Sequence, residues 1–159
     1  MAEIEARLAA LGLQLPAPIK LPPNVVLNFS WIRLFENRAF ISGHGALALD
    51  GSLAEPRGKI GEDLTPEQGY QAARLTGLAV LASLKAAIGD LDRVAAWLLR
   101  VFGMVNAGRG FNQYPSVING FSDLLWTCMV RSAAVTRAPP SVWPDCRLTC
   151  PWRLKPKSP

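Results

Sequence analysis

The chain has 159 residues, half of them hydrophobic and 18% charged, with a slightly positive mean hydropathy. This composition excludes a wholly disordered chain and suits one ordinary domain. Arg74, Ser83 and Lys85 interrupt the longest apolar run, leaving no stretch of about 18 apolar residues to span a membrane, and Glu3, Glu5 and Arg7 stand where a signal peptide would be basic and then apolar. The expected location is the cytoplasm.

The formal net charge of +5 is unevenly placed. Residues 1–125 hold 11 Lys/Arg against 11 Asp/Glu, whereas residues 126–159 hold 6 Lys/Arg and only Asp145. The same final segment carries all three cysteines (Cys128, Cys146, Cys150), six of the thirteen prolines and three of the five tryptophans (Trp126, Trp143, Trp152). The chain therefore divides at about Leu125 into a neutral body and a basic, proline-rich tail.

Ile4, Leu8, Leu11 and Leu13 recur near helical spacing and predict an amphipathic helix over residues 2–13, stopped by Gly12 and Pro16. A proline-rich connector, Leu15 to Pro23, follows. Val25–Leu34 and Ala39–Ser42 are rich in β-branched and aromatic residues and flank Glu36-Asn37, the pattern of a hairpin. Asp50-Gly51 marks another turn, and Gly58-Lys59-Ile60-Gly61 reads as a connector or edge piece.

Thr65-Pro66-Glu67-Gln68 is the clearest helix start in the sequence. It offers a hydroxyl cap, proline at the first helical position and Gln three residues after the Thr. That helix should run to Gly89 with a broad apolar face. Val94–Val105 is expected to be a buried strand, although Ala95–Leu99 alone suits a helix equally well, and a second long helix is expected within Gln113–Leu125. The order β-β-α-β-α predicts a two-layer α+β sandwich, with helices packed on one face of a mixed sheet. Beyond Leu125 the prolines exclude a continuing helix or an internal strand and predict an irregular tail.

Several motifs carry little chemistry on inspection. Gly43-His44-Gly45-Ala46-Leu47-Ala48 matches G-x-G-x-x-A, but Asp50-Gly51 stands where a phosphate-binding helix should begin. Asn106–Phe111 has Gly108 and Gly110 without Gly-Lys-Ser/Thr, so it lacks the P-loop pattern and reads as a strand-to-helix loop. Cys146 and Cys150 have no second pair and His44 is the sole histidine, so no recognised zinc spacing exists, and neither metal nor cofactor is expected. Ser42, His44 and Asp50 could be written as a triad, but the plainer reading of His44 is a turn histidine bonded to backbone. The basic tail with its tryptophans resembles a nucleic-acid patch, yet the neutral body offers no phosphate-tracking stripe, and no nucleic-acid or membrane partner is expected.

Three segments, in order and spacing, resemble the RidA family, also called YjgF or L-PSP endoribonuclease-like. They are Arg38-Ala-Phe-Ile-Ser-Gly-His44, Asp50-Gly-Ser-Leu53 leading into Gly58-Lys-Ile-Gly-Glu-Asp-Leu-Thr65, and the helix through Gly89-Asp-Leu-Asp-Arg-Val94. Val101–Asn106 and Ser116–Leu125 look like the family's middle strand and second helix. The resemblance spans residues 1–125 and implies a chorismate-mutase-like fold, a homotrimer with clefts between subunits, and hydrolysis of reactive enamine or imine intermediates to ketoacids and ammonia.

The match is to a divergent branch. The best-known deaminases carry Gly-Pro-Tyr-Ser before the first strand, where this chain has Pro23-Asn-Val-Val-Leu27, and Ser-Gly-Gln where it has Ser42-Gly43-His44. The family's late Arg-Ser-Ala-Val and Val-Glu-Ile-Glu-Ala strands are absent in frame; Arg131-Ser132-Ala133-Ala134-Val135 mimics the first but stands too early. If each codon's last base after Leu125 is joined to the first two of the next, Trp126-Thr127 must give Asp, Met129-Val130 Gly and Trp143-Pro144 Ala. With permitted codons, Leu125–Val130 becomes VDVYG, Arg137–Val142 becomes RSAVG and Thr149–Pro156 becomes VPVEIEA.

A base missing near codon 125 accounts for the change of composition there. The tail as written is then out of frame and poorly ordered, with the sheet left open at one edge and both folding and trimerisation impaired. The expected function is RidA-like deamination, impaired as written because the signature Arg and late Glu are out of frame. The alternative is a non-catalytic small-molecule-binding or regulatory trimer of the same fold. Ser42, Gly43, His44 and Asn106 are the candidate ligand-binding residues.

Overall fold

A computed structural model describes residues 3–96, 101–129 and 151–154. The N-terminal helix α1 spans Glu3–Ala10, with Ile4 and Leu8 on its buried face. Its first N–H groups lack intrahelical acceptors. The Asp92 carboxylate, from the short turn before the third strand, accepts from the N–H groups of Glu3 and Ile4, while Lys85 pairs with Glu5 at 2.8 Å.

Strands β1 (Ile32–Phe35) and β2 (Arg38–Ile41) form the expected hairpin, with Ile32 opposite Ile41 and Phe35 opposite Arg38. The turn is made possible by Glu36 in the left-handed region, at φ 51°. Strand alternation turns Ala39 and Ile41 toward the helices and Phe40 away from them. Helix α2 (Pro66–Ile88) starts with the predicted reciprocal cap. Thr65 Oγ1 accepts from Gln68 N–H at 3.2 Å, and Gln68 Oε1 accepts from Thr65 N–H at 2.8 Å. Gly89 ends it at φ 80°.

Strand β3 (Val94–Ala96) is far shorter than the expected Val94–Val105 strand: residues 97–100 lie outside the described set, and Val101–Asn106 forms no regular strand. Helix α3 (Tyr114–Met129) runs past the expected end at Leu125, because Cys128 continues the buried stripe of Val117, Phe121, Leu124 and Leu125. Helices α2 and α3 approach closely where Gly120 faces Tyr70. A Cβ on Gly120 would lie 2.0 Å from the Tyr70 carbonyl oxygen. Leu81, Leu84, Leu91, Leu125 and Cys128 are wholly enclosed at the centre of the core.

The tail yields a correction. Pro151–Leu154 forms β4, an internal strand paired antiparallel with both β2 and β3, in the order β1-β2-β4-β3. An internal strand was not expected among these prolines. It is possible because Pro151 takes the first strand position, where its missing N–H does least harm, and Pro156 lies beyond the last. The sequence predicted a sheet left open at one edge; instead β4 sits between β2 and β3 and pairs with both.

The α+β sandwich stands, but the named strands pair antiparallel throughout rather than as a mixed sheet. With β4 between them, β2 and β3 meet it from opposite sides instead of pairing as parallel neighbours. Among the described residues, parallel pairing survives only as the bridges of Ile60 to Leu64 and Ala107. The rest of the tail, residues 130–150 and 155–159, lies outside the described residues, as do Cys146, Cys150 and the Arg131–Val135 string. Among the described residues, no helix is long and apolar enough to cross a membrane.

Candidate functional site

An open cleft of about 1230 Å³ lies beside the helices. One wall is the segment leaving β2, Ser42–Ala46; another is Leu53–Gly58 with Ile60; the rest is Val101–Asn106 with the facing sides of α2 and α3. The four sequence candidates, Ser42, Gly43, His44 and Asn106, all line this cleft. Most of the remaining lining is apolar, including Leu75, Phe102, Met104, Ile118 and Phe121. Cavities of this kind combine an apolar wall with a few convergent polar groups.

Ser42 is held by the segment just before β1. Its N–H donates to the Trp31 carbonyl at 3.0 Å and its hydroxyl to the Ser30 carbonyl at 2.7 Å. The half-buried His44 is fixed at both nitrogens, with Nδ1 2.7 Å from the Ser42 carbonyl oxygen and Nε2 2.8 Å from Ser83 Oγ on α2. A carbonyl can only accept, so Nδ1 carries the proton and Nε2 accepts from the Ser83 hydroxyl. Trp31 lies against the ring at a centroid distance of 5.0 Å. Burial lowers the His44 pKa below the ordinary histidine value, outweighing the Ser42 carbonyl that favours the cation. The imidazole is thus neutral at neutral pH and clamps the cleft wall to α2.

The triad that could be written from Ser42, His44 and Asp50 is not assembled. Asp50 binds Lys20 Nζ at 2.6 Å and the Ser52 hydroxyl at 2.6 Å, and these bonds hold its carboxyl well below the usual carboxylate range. Ser42 Oγ donates to backbone instead of to His44. The glycine string 43–48 runs into a tight turn, with Leu47 bridged to Leu53 and Gly51 at φ 85°, where a dinucleotide site would need a helix.

Asn106 anchors a second wall. Its Nδ2 donates to the Gly58 carbonyl at 3.3 Å, and its own carbonyl accepts from Ile60 N–H at 3.0 Å. The cleft also contains three charged residues outside the four sequence candidates: Glu55, Arg57 and Glu67. Glu55 and Arg57 are paired with each other, Arg57 Nε to Glu55 Oε1 at 2.7 Å. Their only sequence signal was an acid and a base flanking Pro56 in a loop, a pattern too common to mark a site. No group of three or more His, Cys, Asp or Glu is placed to hold a metal ion among the described residues.

Residues 5–147 match the family described as "YjgF/chorismate_mutase-like, putative endoribonuclease". The match continues past Leu125, where the resemblance read from the sequence stopped. Protein TCP17 of Trypanosoma cruzi is 33% identical over 129 residues, covering 77% of this chain and 72% of that protein. Two crystal structures share the fold. A candidate endoribonuclease from Shewanella oneidensis has TM-score 0.66 and 30% identity over 79% of this chain and 78% of its own. Protein Atu1372 of Agrobacterium tumefaciens, described as of unknown function, has TM-score 0.67 and 28% identity over 96% of this chain and 92% of its own.

Proposed function

The chain belongs to the YjgF/chorismate-mutase-like family, and on that premise we propose that its cleft hydrolyses reactive enamine and imine acids to ketoacids and ammonia. The observation that carries this reading is the convergence of Ser42, Gly43, His44 and Asn106 on one largely apolar cleft. In the reaction, water oxygen adds to the imine carbon, the C=N bond gives way to C=O, and nitrogen departs as ammonia with the water protons. A site for this chemistry needs a cation for the substrate carboxylate and a positioned water with an acid/base partner. His44 is unsuited to be that partner, since both its nitrogens are engaged.

The same clamp favours a second reading, a small-molecule-binding or regulatory protein of this fold that does no chemistry. An ammonia assay of the restored-frame protein on freshly generated 2-aminoacrylate separates them. Release above the uncatalysed rate is expected, and release at that rate would leave the binding reading.

The proposed working form is a cytoplasmic homotrimer with a restored C-terminal frame. Phe35 and Phe40 on the sheet's outer face are 63% and 38% exposed, and coverage by other copies would remove them from water. The restored frame would supply an Arg and a late Glu. Its support is that VPVEIEA falls on codons 149–156, which include the internal strand β4. Resequencing codons 120–159 tests it: an additional base near codon 125 is expected, and an unchanged reading would overturn it.

A further inference from the structure

Arg57 is the one cationic residue in the described lining of the cleft, and its setting is that of a side chain on a fixed base. The Gly58 carbonyl is bonded to Asn106, and Lys59 N–H donates to Asp63 Oδ2 at 2.9 Å. Gly58 itself is pressed against Asp63, where an added Cβ would lie 2.6 Å from the Asp63 Cβ. The backbone on the C-terminal side of Arg57 is therefore pinned from two directions.

The guanidinium is only lightly committed. Glu55 engages its Nε and Nη2, and no acceptor is found for Nη1 among the described residues. Both side chains remain more than 60% exposed, at 64% for Arg57 and 62% for Glu55. Exposed pairs of this kind are weak and easily exchanged, and a planar guanidinium can take an incoming carboxylate through two parallel N–H bonds.

We propose that Arg57 binds the carboxylate of the cleft's ligand, and that this ligand is a monocarboxylate with a bulky apolar side chain. The inference rests on the reading of this cleft as the substrate site. Phe102, Met104, Leu75, Ile118 and Phe121 supply the apolar surface. Each further buried methylene of a ligand is worth about 0.8 kcal/mol, or about fourfold in affinity. Arg57 precedes Leu125, so the assignment does not depend on which frame the tail follows.

The test is binding of stable ketoacids to the full 159-residue chain, followed by NMR shifts of cleft residues. We expect 4-methyl-2-oxopentanoate to bind about tenfold or more tightly than pyruvate, and more tightly than 4-methyl-2-pentanone, which lacks the carboxylate. Arg57→Met should abolish the preference for the acid over the ketone, while Arg57→Lys should retain part of it. Glu55→Gln should tighten the acid several-fold, by releasing the guanidinium from its competitor. Because both side chains are exposed, the melting temperatures of these variants should match the parent, which separates lost binding from lost folding.

Equal affinity for the acid in Arg57→Met and the parent overturns the inference, as does weaker binding in Glu55→Gln. Failure of any ketoacid to bind while ammonia release persists overturns it and leaves the proposed reaction standing. Failure of both binding and ammonia release overturns the two together.

Discussion

The hairpin of β1 and β2 has two faces that the same eight residues build by alternation, and they differ in what covers them. On the inner face Ala39 is fully buried, with Ile32 and Ile41 packed against a core centred on Leu81 and Leu84. On the outer face Phe35 and Phe40 stand in solvent. One face therefore sets the stability of the single chain, while the other is available for association. That contrast can be broken or sharpened by substitution, and the expected effects run from several kcal/mol down to almost nothing.

Leu84→Ala, at zero exposure on α2, should cost about 2–5 kcal/mol in denaturant unfolding, because it leaves a cavity among side chains that cannot collapse into it. Gly120→Ala should cost about 1–3 kcal/mol, since its Cβ must push α3 off the Tyr70 backbone. Thr65→Ala removes half of the reciprocal cap on α2 and should cost about 1 kcal/mol. Phe35→Ser, on the open face, should change the unfolding free energy of the single chain by less than about 0.5 kcal/mol. Sedimentation should instead show weaker self-association; a large loss of single-chain stability would contradict the division between the faces.

His44 adds a pH dependence of definite sign. Its folded pKa lies below the unfolded value of 6.5, so the unfolded chain binds the proton more readily as the pH falls through that value. Stability should therefore be complete above pH 6.5 and decline below it, until the folded form also protonates. His44→Gln should flatten that part of the unfolding profile, and an unchanged slope would show that the ring is not the titrating group.

Much of the fold was legible wherever a local rule fixes a local geometry. Thr65-Pro66-Glu67-Gln68 and Gly89 bounded α2, and the β-rich runs on either side of Glu36-Asn37 gave the hairpin. Strand β4 was not legible, because four residues that begin on a proline have no periodicity of their own. They take their conformation from the facing edges of β2 and β3. The site divides in the same way. Ser42 and His44 stood out within a family-like string, but the bond from Ser83 to His44, 39 residues apart, is a product of packing. Arg57 went unremarked because only the folded chain places its loop opposite the walls formed by residues 42–46 and 101–106.

The central claim is that this cleft accelerates hydrolysis of an imine acid, and the most direct measurement is ammonia release from the imine of leucine, generated in situ by an amino-acid oxidase. The account predicts release faster than in buffer for the restored-frame protein and slower release when Arg57 is replaced by Met. Release at the buffer rate, by a folded protein that still binds the ketoacid, would contradict it and leave the cleft as a binding site alone.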